Sequence, residues 1–114
     1  MRKILLTFAL VFLSFNALAD DELVNDKIYF FTHNGCPYCE MAEEYISQNM
    51  QNIAIENVSI DRPGGMYLFR KCVQKFKLGR EVGTPLFCMG DDYLMGWSEE
   101  NQQRFVELSK KFGK

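Results

Sequence analysis

Ile28-Tyr29-Phe30-Phe31-Thr32-His33-Asn34-Gly35-Cys36-Pro37-Tyr38-Cys39 runs from an apolar stretch directly into two cysteines. Lys27 to Thr32 is rich in aromatic and β-branched residues and reads as a short buried strand. Pro37 suits the first turn of a helix, where its missing N–H costs nothing. The helical pattern runs on to about Met50, with Met41, Ala42, Tyr45 and Ile46 sharing one face. Cys36 therefore falls at a helix N-terminus, where unpaired N–H groups and the dipole favour an anion. Cys39 sits one turn further in. Disulfide exchange needs a thiolate nucleophile and a second thiol within reach, and a free thiol with a pKa of about 8.5 is mostly protonated at neutral pH. The spacing meets both needs, with Cys36 as the nucleophile and Cys39 as the resolving thiol. Pro37 and Tyr38 shape the helix start and offer aromatic surface to a partner.

Beyond this segment, Ile53 to Ile60 alternates as a second strand, and Arg62-Pro63-Gly64-Gly65 reads as a turn. Met66 to Lys77 reads as a second helix, with Phe69, Cys72, Val73 and Phe76 at helical spacing and Gly79 as its stop. Leu86 to Met89 and Tyr93 to Met95 are a third and a fourth strand, joined by the turn Gly90-Asp91-Asp92. Ser98 is placed to cap a last helix, with Glu99 and Glu100 in its first turn and Phe105, Leu108 and Phe112 as its inner stripe. The order is βαβαββα, which predicts an α/β domain: a four-stranded mixed sheet with three helices covering both faces.

The first nineteen residues read as a signal peptide. Arg2 and Lys3 form a positive start, Ile4 to Phe15 is apolar but short for a membrane span, and Ala17-Leu18-Ala19 offers small residues for cleavage before Asp20. The expected location is periplasmic or secreted, with residues 20–114 as one domain. Without Arg2 and Lys3 the chain keeps 11 basic against 15 acidic residues, a net charge of −4. No basic patch argues for nucleic acid, and no second apolar segment argues for a membrane role. All four cysteines lie beyond the signal, which suits an oxidising compartment.

Three features together make the chain resemble the thioredoxin superfamily: Cys36-Pro37-Tyr38-Cys39 after a strand, Gly83-Thr84-Pro85 before the third strand, and Gly96-Trp97 before the last helix. The Cys-Pro-Tyr-Cys sequence and the compact length are similar to glutaredoxins. The stretch from Gly83 to Trp97 is more similar to the catalytic domains of periplasmic disulfide isomerases of the Dsb type. The resemblance implies a thioredoxin-like fold of the glutaredoxin type and a thiol–disulfide oxidoreductase. It implies that Pro85 is a cis-proline facing the dithiol, and that the backbone of Thr84 pairs with an incoming peptide or glutathione. Thioredoxins carry a buried acidic residue where this chain has Phe30. Glutaredoxins commonly carry a glutathione-binding lysine where this chain has His33, its only histidine. Where glutaredoxins hold the glutamyl end of glutathione, this chain has Gly96-Trp97-Ser98, and the acidic contact has shifted to Glu99. His33, Tyr38, Thr84, Gly96, Trp97 and Ser98 are thus the candidate substrate-binding residues, with Trp97 on the rim beside Tyr38 or packed in the core. Arg80 is a candidate compensating charge or a solvated helix-end residue.

In such a fold the second helix covers the sheet face that includes the third strand, so Cys72 and Cys88 either form a structural disulfide or pack as small buried residues. The expected partners are exported clients with thiols or disulfides and a membrane redox protein. Glutathione stays open as a co-substrate, no resident cofactor is expected, and the default state is a monomer. The alternative reading is a binding module in which the same thiols hold soft copper or zinc. Against it, Cys72 and Cys88 lie sixteen residues apart in apolar elements, unlike ligands on exposed turns.

Overall fold

The computed structural model describes residues 22–114, and the expected signal segment and its cleavage point lie outside the described residues. The elements are β1 (Ile28–Thr32), α1 (Pro37–Asn49), β2 (Ile55–Ser59), α2 (Pro63–Lys75), β3 (Leu86–Met89), β4 (Asp92–Met95) and α3 (Glu99–Ser109), which continues as a 3-10 turn over Lys110–Phe112. This is the βαβαββα order read from the sequence.

The sheet runs β2-β1-β3-β4. β1 pairs parallel with β2 and antiparallel with β3, and β3 forms an antiparallel hairpin with β4. A central strand covered on both faces needs apolar residues at successive positions, which is why β1 reads as a continuous run rather than an alternation. Its side chains divide by parity. Ile28 and Phe30 join Ala42, Ile46, Phe87, Phe105 and Phe112 under α1 and α3, whereas Tyr29 and Phe31 join Val58, Phe69, Cys72, Leu86 and Cys88 under α2. The hairpin turns at Gly90, whose φ of 66° suits the first central position of a two-residue loop.

Four local expectations are corrected. Arg62-Pro63-Gly64-Gly65 is not a free turn, because α2 already begins at Pro63. Two glycines weaken a helix, but a Cβ at Gly65 would fall on the carbonyl oxygen of Ser59, so only glycine lets the helix start this close to β2. Gly65→Ala is therefore expected to destabilise by about 1–3 kcal/mol, read as a lower denaturant midpoint at unchanged slope. Nor does Gly79 stop this helix. It ends at Lys75, and Lys77 takes the left-handed position at φ 53°. The Leu78 amide donates to the Val73 carbonyl and the Lys77 amide to that of Gln74, the bond pair of a Schellman cap. Ile53 lies outside β2 and instead bridges Gly113. Met41 turns outward, at 54 % exposure, and α1 buries the narrower stripe Cys39, Ala42 and Ile46.

Candidate functional site

Cys36 and Cys39 are joined as a disulfide, with their Cα atoms 5.2 Å apart. Three local features build this end of α1. Gly35 takes a positive φ of 75° and swings the chain out of β1. Cys36 then adopts an extended conformation as N-cap, its carbonyl accepting from the Glu40 amide at 3.1 Å. Its Sγ accepts from the Cys39 amide, also at 3.1 Å. A sulfur thus occupies the place usually filled by a serine or aspartate oxygen, aimed at the otherwise orphaned N–H groups of the first turn. When the pair is reduced, the same donor and the helix dipole stabilise a thiolate at Cys36.

Both cysteines are nearly covered, with Cys36 at 4 % and Cys39 at 2 % exposure, while Tyr38 between them stands out at 57 %. An aromatic ring beside a recessed disulfide offers contact area to a large partner. The Asn34 amide donates to Asp61 Oδ2 at 2.8 Å, and the Ile60 amide donates to the Thr32 carbonyl at 2.8 Å, which ties the β1–α1 loop to the β2–α2 connection.

The other wall is the segment entering β3. The Thr84–Pro85 peptide bond is cis, and the carbonyl oxygen of Thr84 lies 3.8 Å from Cys36 Sγ. The Thr84 hydroxyl lies 3.5 Å from the same sulfur, and Nδ1 of His33 is hydrogen-bonded to that hydroxyl. The Gly96 amide donates to the Pro85 carbonyl at 2.8 Å, fixing the end of β4 against this wall. Cys36, Cys39, His33, Thr84 and Pro85 are therefore gathered at one place, although 51 residues separate His33 from Thr84.

Two of the remaining candidates are already engaged. Trp97 is not a rim residue: it is 8 % exposed and packs with Tyr45, Phe87 and Phe105 at centroid distances of 5.8, 5.8 and 6.0 Å. A tryptophan brings more apolar area than any neighbour here, so the core under α1 and α3 claims it. Ser98 caps α3, its Oγ accepting from the Asn101 amide at 3.1 Å, as its sequence position predicts. Gly96, at φ 89°, lets the chain turn from β4 into that cap, where the Asn101 side-chain amide donates to the carbonyls of Met95 and Gly96. The sequence reading missed this role of Asn101, because an asparagine four residues after a Gly-Trp pair gives no such signal by itself. Arg80 is exposed, as a solvated residue would be.

The ligand-type atoms of His33, Cys36 and Cys39 lie within 4.8 Å of one another, a nitrogen and two sulfurs. In this structure the sulfurs are bonded to each other and the imidazole is engaged with Thr84.

The second pair also forms a disulfide. Cys72 on α2 and Cys88 on β3 are bonded across the sheet face, with Cα atoms 6.2 Å apart and both side chains buried. Of the two alternatives left open by the sequence, the bridge is the one present.

No family model matches the chain, and no curated protein sequence matches it. Solved structures do. A single-residue mutant of a thioredoxin-like protein superposes with a TM-score of 0.56 at 17 % identity, covering 72 % of this chain and 96 % of that one. A glutaredoxin from Archaeoglobus fulgidus gives 0.53 at 17 % identity, over 71 % and 86 %. A buckwheat glutaredoxin in complex with glutathione gives 0.53 at 15 % identity, over 74 % and 76 %. With its four-stranded mixed sheet and three helices, the chain has the thioredoxin-like fold of the compact glutaredoxin type.

Proposed function

We propose that this protein is an exported thiol–disulfide oxidoreductase acting on client proteins by dithiol–disulfide exchange. The observation that carries the reading is the Cys36–Cys39 disulfide at the N-terminus of α1, faced by the Thr84–Pro85 wall. In the reductive direction the Cys36 thiolate attacks a client disulfide, an S–S bond forms between them, and one client thiolate leaves. The Cys39 thiolate then attacks the Cys36 sulfur, closes the ring and releases the second client thiolate. Two electrons pass from the pair to the client. The oxidative direction is the reverse, and a redox partner at the membrane resets the pair in either case.

The exposed Tyr38 ring and the Thr84 backbone supply a surface for an extended client segment. The amide of Thr84 makes no backbone hydrogen bond among the described residues, which leaves it free for strand-like pairing. A protein client is favoured over glutathione as the main substrate. His33 stands where the resemblance expects a lysine, and Ser98 Oγ is already an acceptor within the α3 cap. Export is supported by the pattern of residues 1–19 and by Cys72–Cys88, since a second, buried disulfide suits a compartment that oxidises thiols.

The test is reduction of insulin by the dithiol form, with the Cys39→Ser variant used to trap intermediates. Turnover with the native protein, and accumulation of a client disulfide-linked to Cys36 in the variant, are expected. A native protein that leaves insulin intact over many equivalents of dithiol contradicts the reading. Export is checked separately: the mass of the protein recovered from the periplasm or medium should begin at Asp20, and recovery of the whole chain from the cytoplasm removes that part.

A further inference from the structure

We infer that the Thr84 hydroxyl and the His33 imidazole form a proton relay to the sulfur of Cys36. The inference rests on the redox reading of the pair and adds to it a route for the proton. Two contacts link three atoms: Thr84 Oγ1 lies 3.5 Å from Cys36 Sγ and is hydrogen-bonded to His33 Nδ1, with a ring nitrogen of His33 within 4.8 Å of that sulfur. A hydroxyl can accept one hydrogen bond while donating another, so it can pass a proton without holding one. Histidine is the side chain whose ordinary pKa allows it to take and return a proton near neutral pH.

Phe30 stands on β1 where the resemblance expects a buried acid, so no carboxylate from that strand reaches the sulfurs. His33 itself is exposed, so its proton exchanges with water between cycles. The other titratable or charged groups near the site ends of the elements meeting here include Tyr38, Cys39 and Glu40 in the first turn of α1, Asp61 and Arg62 at the β2–α2 connection, and Arg80 and Glu81 before β3. Asp61 is committed to the Asn34 amide. Among the described residues the only hydrogen bond or ion pair of the His33 side chain is the one to Thr84.

The Cys36 S–H proton moves to Thr84 Oγ1 as the Thr84 hydroxyl proton moves to His33 Nδ1. The products are a thiolate, an unchanged threonine and an imidazolium. The thiolate attacks the client disulfide, its lone pair becoming the new S–S bond as the client S–S bond breaks. In the reductive direction the client thiolate is the leaving group and takes up the proton that His33 releases through water. In the oxidative direction, where Cys36 is the leaving group of the mixed disulfide, the protons run back along the same path to its sulfur. Thr84 touches the reacting sulfur, and His33 acts through it.

The experiment measures alkylation of Cys36 by iodoacetamide against pH in the reduced full-length protein, resolved by peptide mass spectrometry. His33→Ala and Thr84→Val are each expected to slow alkylation below pH 7 by about tenfold, moving the profile to higher pH. The double variant is expected to be no slower than either single one, because both remove the same path. Thr84→Ser is expected to restore the wild-type profile, and thermal unfolding of each variant identifies any that lose the fold. A Thr84→Val profile like the wild type would overturn the relay in favour of a through-space effect of His33. A His33→Ala profile like the wild type would overturn it in favour of the hydroxyl alone. Alkylation does not require turnover, so the relay is judged separately from the oxidoreductase reading, which fails only if insulin reduction is absent in the native protein.

Discussion

Replacing Cys36 by serine is expected to lower insulin-reducing turnover by roughly a thousandfold or more, because the nucleophile and its partner act as a unit. The alcohol left behind is not ionised near neutral pH, so the helix N-terminus that favours a thiolate has no anion to favour. Cys39→Ser should behave differently. Cys36 can still attack, but nothing one turn away releases the product, so mixed disulfides accumulate and turnover stops after the first exchange. The two variants therefore separate the roles of the sulfurs, which the near-equal burial of the pair does not do. Non-reducing electrophoresis of the variants after incubation with reduced and oxidised clients reads both outcomes. Equal trapping by the two variants would reverse or remove the assignment of Cys36 as nucleophile.

Removal of the second disulfide is expected to have the largest effect on stability. Cys72 and Cys88 are sixteen residues apart, and closing a loop of that length in the unfolded chain is worth about 3 kcal/mol. The domain is small, so its core leaves little reserve. The Cys72→Ala, Cys88→Ala double variant should lose about 2–4 kcal/mol. For a domain of this size that corresponds to a melting temperature lower by roughly 10–25 °C. Thermal unfolding with and without dithiothreitol measures it. The wild type should fall towards the variant on reduction, while the variant itself moves little. Equal midpoints for the oxidised wild type and the variant would mean that the pair packs as two small apolar residues and no more.

Much of this molecule was legible in its sequence because the signals were local. The aromatic run of β1, Pro37 after Cys36, the Gly90 turn and Ser98 before two glutamates each announce a piece of backbone by themselves, and the structure puts them where they point. The errors have a common cause, which is packing that a sequence window does not contain. Pro63-Gly64-Gly65 looks like a turn until Ser59 is seen to press against Gly65. Lys77 accepts a left-handed conformation because the cap bonds of α2 hold it there, two residues before the glycine expected to take that part. For Trp97 the sequence left rim and core open, and Tyr45, Phe87 and Phe105, which arrive from three different elements, decide for the core. Within the site, Cys36 and Cys39 are readable from spacing alone. The contact of His33 with Thr84 is not, since it depends on β1 and β3 lying side by side in the sheet.

The most direct test of the central claim, that Cys36 and Cys39 cycle between dithiol and disulfide, is equilibration of the protein in glutathione buffers, with the state of each cysteine read by mass spectrometry. The account predicts a reversible two-electron couple confined to Cys36 and Cys39, at a potential between about −270 and −120 mV, while Cys72–Cys88 stays oxidised throughout. A pair that opens only when the fold and Cys72–Cys88 are lost with it, or that never closes again, would contradict the account.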